Sequence, residues 1–355
     1  MVANSQHRPN LDVLRSICVL MVIATQVLGS LNFNGYTQLS NLFRHAWYFG
    51  SFGVTGFFVL SAYLLSFILL KEKELGTINK TNFYIRRVLR IYPLYFTTIA
   101  IIFLINSLSA DPLNLHLFNY LTFTANFTSY GWQGSNPLLH FWSICAEEQF
   151  YLALPWLLLL TKKKLSLVLI FFIPLSVVSR FFVSDLLPYP AVWNFSTSHL
   201  DAFALGILIA LHHDVVTSFI KKVKKIKVLI PIVFFLLAIT SAGSFQLVYT
   251  SRLSSITYLF AACTFGLLLI SANHDSWEFR GKRVLIYIGK RSFGLYVFHW
   301  PALYYTKLFY QVDLLNIESA LVVIGSTFLI TELSYRYLES PFMKARVKFQ
   351  TIKTD

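Results

Sequence analysis

Residues 11–29 read LDVLRSICVLMVIATQVLG. Beyond Arg15 this stretch has no acidic or basic residue, and a run near 14–33 supplies about the 20 mostly apolar residues that a helix needs to cross a bilayer. Runs of the same kind recur near 47–70, 86–108, 140–161, 165–183, 197–213, 228–247, 252–272, 284–306 and 318–338. Composition agrees. Of 355 residues, 56 % are hydrophobic and 13 % charged, and the mean hydropathy is +0.60, more than a soluble core needs. The reading is an all-α polytopic membrane protein with about ten transmembrane helices, folded as one membrane domain over 1–355. No repeat, low-complexity tract or appended soluble domain is expected, nor a cleavable leader, because the first apolar run lacks a small-residue cleavage site.

An even number of spans puts both ends on one side, and basic residues decide which. Lys71, Lys73, Lys80, Arg86 and Arg87, then Lys162 to Lys164, then Lys221, Lys222, Lys224, Lys225 and Lys227 fall between spans on one side. Arg280, Lys282, Arg283, Lys290, Arg291, Lys344, Arg346, Lys348 and Lys353 continue the series. The other side receives Arg44, Arg180, Arg252 and Lys307. Amino and carboxyl termini are therefore expected in the cytoplasm. This asymmetry also accounts for the net charge of +14. The charges are split among short loops, which argues against nucleic acid as a partner. Cys18, Cys145 and Cys263 have neither redox nor metal-ligand spacing and are expected as free thiols; no metal is expected.

Ionisable groups inside apolar helices are costly and mark candidate sites. Arg15 and Gln26 are eleven residues apart, hence on one helix face and about 16 Å apart along the axis. FYIRRVLRIYPLYF (83–96) carries Arg86, Arg87 and Arg90, of which Arg87 and Arg90 are helical neighbours. Their guanidinium forks suit phosphate, although snorkelling anchors would look the same. LLHFWSICAEEQFYLALPWLLLL (138–160) holds His140, Ser143, Glu147, Glu148, Gln149 and Tyr151. His140, Glu147 and Tyr151 share a face, and Glu148 points elsewhere. A structural pairing of Glu147 with an arginine is the plain alternative. Asp201, His299 and Glu332 are weaker signals: Asp201 reads equally as a helix cap and His299 as a helix-end hydrogen bonder.

Taken in order, LDVLRSICVLMVIATQ, FGVTGFFVLSAYLL, FYIRRVLRIYPLYF, HFWSICAEEQFYLALP, LDAFALG, YIGKRSFGLYVFHWP and ELSYRYLESP resemble the acyltransferase 3 family across the whole chain. Its members are bacterial-type membrane enzymes that move acyl groups from acyl-coenzyme A to hydroxyls of sugars and envelope glycans. The resemblance implies that Arg15 opens the family's Arg-x10-His motif, that Arg87 and Arg90 form its Arg-x-x-Arg motif, and that Glu147 is the acid of its WSxxxE-type motif. It further implies acyl-coenzyme A, acetyl-coenzyme A first, as donor, and a glycan or lipid-linked sugar as acceptor, lipopolysaccharide or O-antigen among them. The lipid bilayer of a bacterial inner membrane is the implied setting.

Two positions depart from the family pattern. Ala62 follows Ser61 where glycine is expected, and Gln26 stands where the histidine belongs. Glutamine has no titratable nitrogen and cannot act as a general base. Three accounts remain open: a substitution introduced to disable the protein, which the intact surrounding motifs favour; a naturally degenerate member; or a base elsewhere, such as His140 or Glu147. In the expected mechanism the donor's phosphates sit on Arg15, Arg87 and Arg90, its thioester rises toward position 26, Glu147 orients the base, and His140 or Ser143 donates to the oxyanion. A transporter and a noncatalytic binding relative are the rivals. Flux without coenzyme A consumption marks the first, and binding with no gain from Gln26→His marks the second.

Overall fold

In a bilayer every backbone polar group needs an internal partner, and the described residues of each apolar run are mostly helix. The computed structural model describes residues 9–31, 47–76, 78–128, 136–186, 191–222, 229–243, 254–274 and 277–350. Arg44, Lys224, Lys225, Lys227, Arg252 and Lys353 of the charge pattern lie outside them. The larger helices are α1 (Pro9–Gly29), α2 (Trp47–Glu74), α3 (Lys80–Ser107), α4 (Trp142–Leu157), α5 (Lys162–Leu186) and α6 (Leu200–Leu211). They continue as α7 (His213–Lys222), α8 (Leu229–Gly243), α9 (Ser254–His274), α10 (Lys282–Lys290), α11 (Ser292–Tyr310), α12 (Ile317–Ser334) and α13 (Ser340–Arg346). Among the described residues there is no strand, only an isolated bridge between Leu31 and Leu315. That bridge ties the end of α1 to the residues before α12, which opens on a capping box between Asn316 and Ser319.

Among the described residues six helices are long and apolar enough to cross a membrane: Pro9–Gly29, Phe49–Glu74, Lys80–Ser107, Lys162–Val183, Ser255–His274 and Ile317–Phe349. The protein is therefore an integral membrane protein. Two apolar helices, Ser196–Leu211 and Leu229–Ser241, are shorter. The run expected as a single span at 284–306 is instead two helices, broken at Arg291 between α10 and α11. The reason is a partner remote in sequence. Arg291 turns its guanidinium to Glu332 and stacks on the Tyr287 ring at 3.5 Å, while α10 packs on α1.

Helix α2 is the centre of the assembly and packs on α1, α6 and α9. Its sequence is apolar nearly all round, as a helix enclosed by others should be, and Phe52, Phe58, Val59, Leu60 and Tyr63 are buried. Glycine makes these crossings close. A Cβ on Gly53 would stand 2.4 Å from the Cys18 carbonyl oxygen, one on Gly206 2.5 Å from that of Val59, and one on Gly289 1.9 Å from that of Asp12. Ala62 fits because the residue facing it is Gly206, whose Cβ would fall 2.7 Å from that of Ala62. Replacing Gly206 with leucine should therefore force α6 off α2. Overpacking of a tight core costs about 1–3 kcal/mol, and we expect a matching drop in thermal unfolding temperature in detergent, whereas Gly325→Leu, on open surface, should leave it unchanged. The opposite pattern would remove the glycine crossings from the packing argument.

Candidate functional site

A cavity of about 280 Å³ opens among α2, α3, α4 and α11, with one side chain contributed by α1 and one by α13. On α4, Ser143, Glu147 and Tyr151 line it at four-residue spacing, a polar stripe of about 12 Å along the helix. Lys73 holds the far end of α4 by donating to the carbonyl oxygens of Leu158 at 2.5 Å and Leu160 at 2.9 Å, groups that have no helical partner of their own. Apolar walls come from Val54, Phe57, Leu64 and Ile91.

The Tyr151 end of the cavity is cationic. Arg87 lies 6.0 Å over the Tyr151 ring, and Arg15, Arg90 and Arg346 line the same space. Arg15 donates to Asp12 at 2.8 Å, and Arg90 approaches the Met343 sulfur at 3.8 Å. Between the two ends sits Glu147, faced by the Ser61 and Tyr151 hydroxyls, with its Oε1 buried and without a hydrogen-bond partner among the described residues. Glu148 does point away, as helical spacing requires, toward Tyr92.

At the other end, Ser143 and Tyr296 share a 2.5 Å hydrogen bond, and the Tyr296 hydroxyl also contacts the His140 carbonyl oxygen at 3.0 Å. Immediately beyond lie His140 and His299, ring centroids 5.0 Å apart. His140 Nε2 faces the Val297 carbonyl oxygen at 3.0 Å, and His299 Nδ1 faces that of Tyr296 at 2.6 Å. A carbonyl oxygen only accepts, so these two nitrogens carry the protons and the remaining nitrogen of each neutral ring keeps its lone pair. Those two atoms, His140 Nδ1 and His299 Nε2, are buried without hydrogen-bond partners among the described residues.

Of the residues singled out in the sequence, Arg15, Arg87, Arg90, Ser143, Glu147 and Tyr151 thus share one cavity. Gln26 lies outside its lining, with its Oε1 buried and without a hydrogen-bond partner among the described residues. Arg86 is turned elsewhere, to buried Glu72 at 2.9 Å and to the Phe349 carbonyl oxygen at 2.9 Å. Asp201 is held in a fully buried ion pair with Arg180 at 2.7 Å and also accepts from the backbone of Ala202. Glu332 binds Arg291, Arg336 and Tyr287. Gln149 is likewise committed, donating to the Phe123 carbonyl oxygen at 2.7 Å. Arg346, Ser292 and Tyr296 line the cavity and were not singled out as site residues; Arg346 counted only toward topology.

The family model described as acyltransferase domain matches residues 8–336. A Staphylococcus aureus (strain MSSA476) protein named "Putative O-acetyltransferase SAS0844" is 27 % identical, over 97 % of this chain and 58 % of its own length. The peptidoglycan O-acetyltransferase OatA of Listeria monocytogenes is 29 % identical, over 96 % of this chain and 56 % of its own. The O-acetyltransferase OatA of Staphylococcus aureus (strain NCTC 8325 / PS 47) is 25 % identical, over 97 % and 58 % respectively. The chain therefore spans little more than half the length of these relatives. No solved structure matches. With seven sequence blocks in the family's order and a family match covering nearly all of it, the chain belongs to the acyltransferase 3 family.

Proposed function

We propose that the chain is an O-acyltransferase that moves an acetyl group from acetyl-coenzyme A to a hydroxyl of an envelope glycan or lipid-linked sugar. The observation that carries this reading is a single cavity with arginines at one end and a hydroxyl pair at the other, joined by the stripe of Glu147. Arg15, Arg87 and Arg90 bind the donor's phosphates through charge-assisted hydrogen bonds. The thioester then extends along α4 toward Ser143 and Tyr296. Tyr296 donates its proton to the His140 carbonyl oxygen, so it is the Ser143 hydroxyl that turns from the Tyr296 oxygen to donate to the oxyanion that forms as the acceptor oxygen attacks. Position 26, about 16 Å along α1 from Arg15, is the site of the general base that takes the acceptor's proton and returns it to the coenzyme A sulfur as the thioester C–S bond breaks and the thiol leaves. With Gln26 there, transfer is slow while donor binding is intact. Glu147 orients or stabilises the base.

About ten spans in a bacterial inner membrane, with both termini cytoplasmic, would present the arginine end to the cytoplasmic donor pool. The excess of Lys and Arg between spans on that side supports this orientation. Among acceptors, the name of the Listeria relative favours peptidoglycan over lipopolysaccharide or O-antigen.

The test is acetyl transfer from acetyl-coenzyme A to a panel of glycan acceptors by the purified protein in detergent, with donor affinity measured alongside. Hydrogen bonds to charged groups contribute about 1.5–3 kcal/mol each, so Arg87→Ala with Arg90→Ala should weaken acetyl-coenzyme A binding by at least about tenfold and flatten its dependence on salt. Unchanged affinity and salt dependence would make these arginines membrane-surface anchors and remove the donor site from this cavity.

A further inference from the structure

We infer that Arg346 is a fourth guanidinium of the anion-binding end, and that a phosphorylated ligand there holds helix α13 against α3. The inference rests on the donor reading above. Arg346 lies beyond the segment 8–336 that carries the family match. It reaches the cavity because the chain leaves α12 through a π-helical turn, Tyr335–Glu339, and re-enters helix as α13 packed on α3.

The charges lining the cavity do not balance. Arg15, Arg87, Arg90 and Arg346 face a single lining carboxylate, Glu147, and Asp12 already engages Arg15. Arg346 stands in the field of Arg90, Arg87, Arg15 and Arg86, with no hydrogen bond or ion pair to it among the described residues. Like charges gathered in a partly desolvated site repel, so Arg346 pushes α13 away from α3. The opposing polar attachments include Arg86 to the Phe349 carbonyl oxygen at 2.9 Å and Arg90 to the Met343 sulfur at 3.8 Å. A ligand carrying several phosphate charges reverses the sign of the repulsion and uses the guanidinium forks as donors. Because the ligand favours docked α13, docked α13 must favour the ligand to the same extent.

Coenzyme A is the probe, and Arg346→Gln in the full chain is the variant. Without ligand, Arg346→Gln should unfold at a higher temperature than the parent, since a repelling charge is gone. With saturating coenzyme A the order should invert, and affinity should fall by about tenfold, the contribution of one charge-assisted contact. Hydrogen exchange of the backbone at 340–349 should slow on coenzyme A binding in the parent and not in the variant. Lys344→Gln, which removes an exposed charge from the same helix, should leave affinity and exchange as in the parent. Parental affinity in Arg346→Gln, in a protein whose binding is lost on replacing Arg87 and Arg90, would overturn this inference and leave the donor reading standing. Lower stability of Arg346→Gln both with and without ligand would assign Arg346 a packing role and overturn it too. A parent that does not bind coenzyme A would sink both.

Discussion

Gln26→His is expected to raise kcat for acetyl transfer by about 100-fold or more, the usual contribution of a positioned general base, while the affinity for acetyl-coenzyme A stays where it is. The amide at this position has its Oε1 buried and without a hydrogen-bond partner among the described residues. An imidazole there gains a proton-accepting nitrogen without displacing an existing hydrogen bond at that atom. The separation of effects follows from distance. Position 26 lies about 16 Å along α1 from Arg15, too far to touch the phosphates, so the change should appear in turnover and not in donor binding. Equal turnover by the two proteins would move the base elsewhere, and the geometry already names the place. His140 Nδ1 and His299 Nε2 are buried lone-pair nitrogens without hydrogen-bond partners among the described residues, directly behind the Ser143 and Tyr296 hydroxyls. In that case His140→Gln should abolish the transfer that Gln26→His failed to improve.

Asp201→Ala should cost about 3–5 kcal/mol of stability, because it strands a fully buried guanidinium. Arg180 donates to Asp201 at 2.7 Å, to the Ser255 carbonyl oxygen at 2.7 Å, to the Ser198 carbonyl oxygen at 2.6 Å and to the Ser176 hydroxyl at 3.0 Å. It thereby joins α5, α6, α9 and the turn Ser196–His199 that precedes α6. With the carboxylate gone, its charge loses its counter-ion in a region closed to solvent. Adding Arg180→Met to Asp201→Ala should recover much of the loss, since replacing both members of a buried pair with apolar groups is far less costly than removing one. Thermal unfolding in detergent of the two single variants and the double measures this coupling. Strictly additive losses would show that the pair contributes nothing as a pair.

The helices were legible because a bilayer leaves an apolar run of this length few alternatives. The break at Arg291 was not, because YIGKRSFGLYVFHWP continues an apolar pattern on either side of two basic residues; the partner that captures Arg291, Glu332, lies in another helix. The same division holds in the site. Arg87, Arg90 and Glu147 stood out as charges inside apolar sequence, and the cavity collects them. Arg346 did not stand out, since a basic residue after a final span serves equally to fix topology, and only the π-helical turn carries it back to the cavity. Ser292 and Tyr296 are residues of a kind found in any membrane helix. The contact between His140 and His299 depends on how α11 is laid against the turn Leu139–Phe141, which no local spacing encodes. Asp201 stood out as an ionisable group in an apolar helix, whereas Arg180 counted only toward topology, and neither spacing nor periodicity paired them.

The backbone contacts at Gly53, Gly206 and Gly289 have a mechanical consequence. Where carbonyl oxygens sit on bare Cα atoms, sliding one helix by a single residue drives a side chain into main chain, so α1, α2, α6 and α10 behave as a keel with one allowed register. The proposed transfer to a bulky glycan needs one wall to yield. Among the described glycines none on α3, α4, α11 or α13 meets a carbonyl oxygen, so that side has no such register lock, while the keel fixes the helix that carries Arg15.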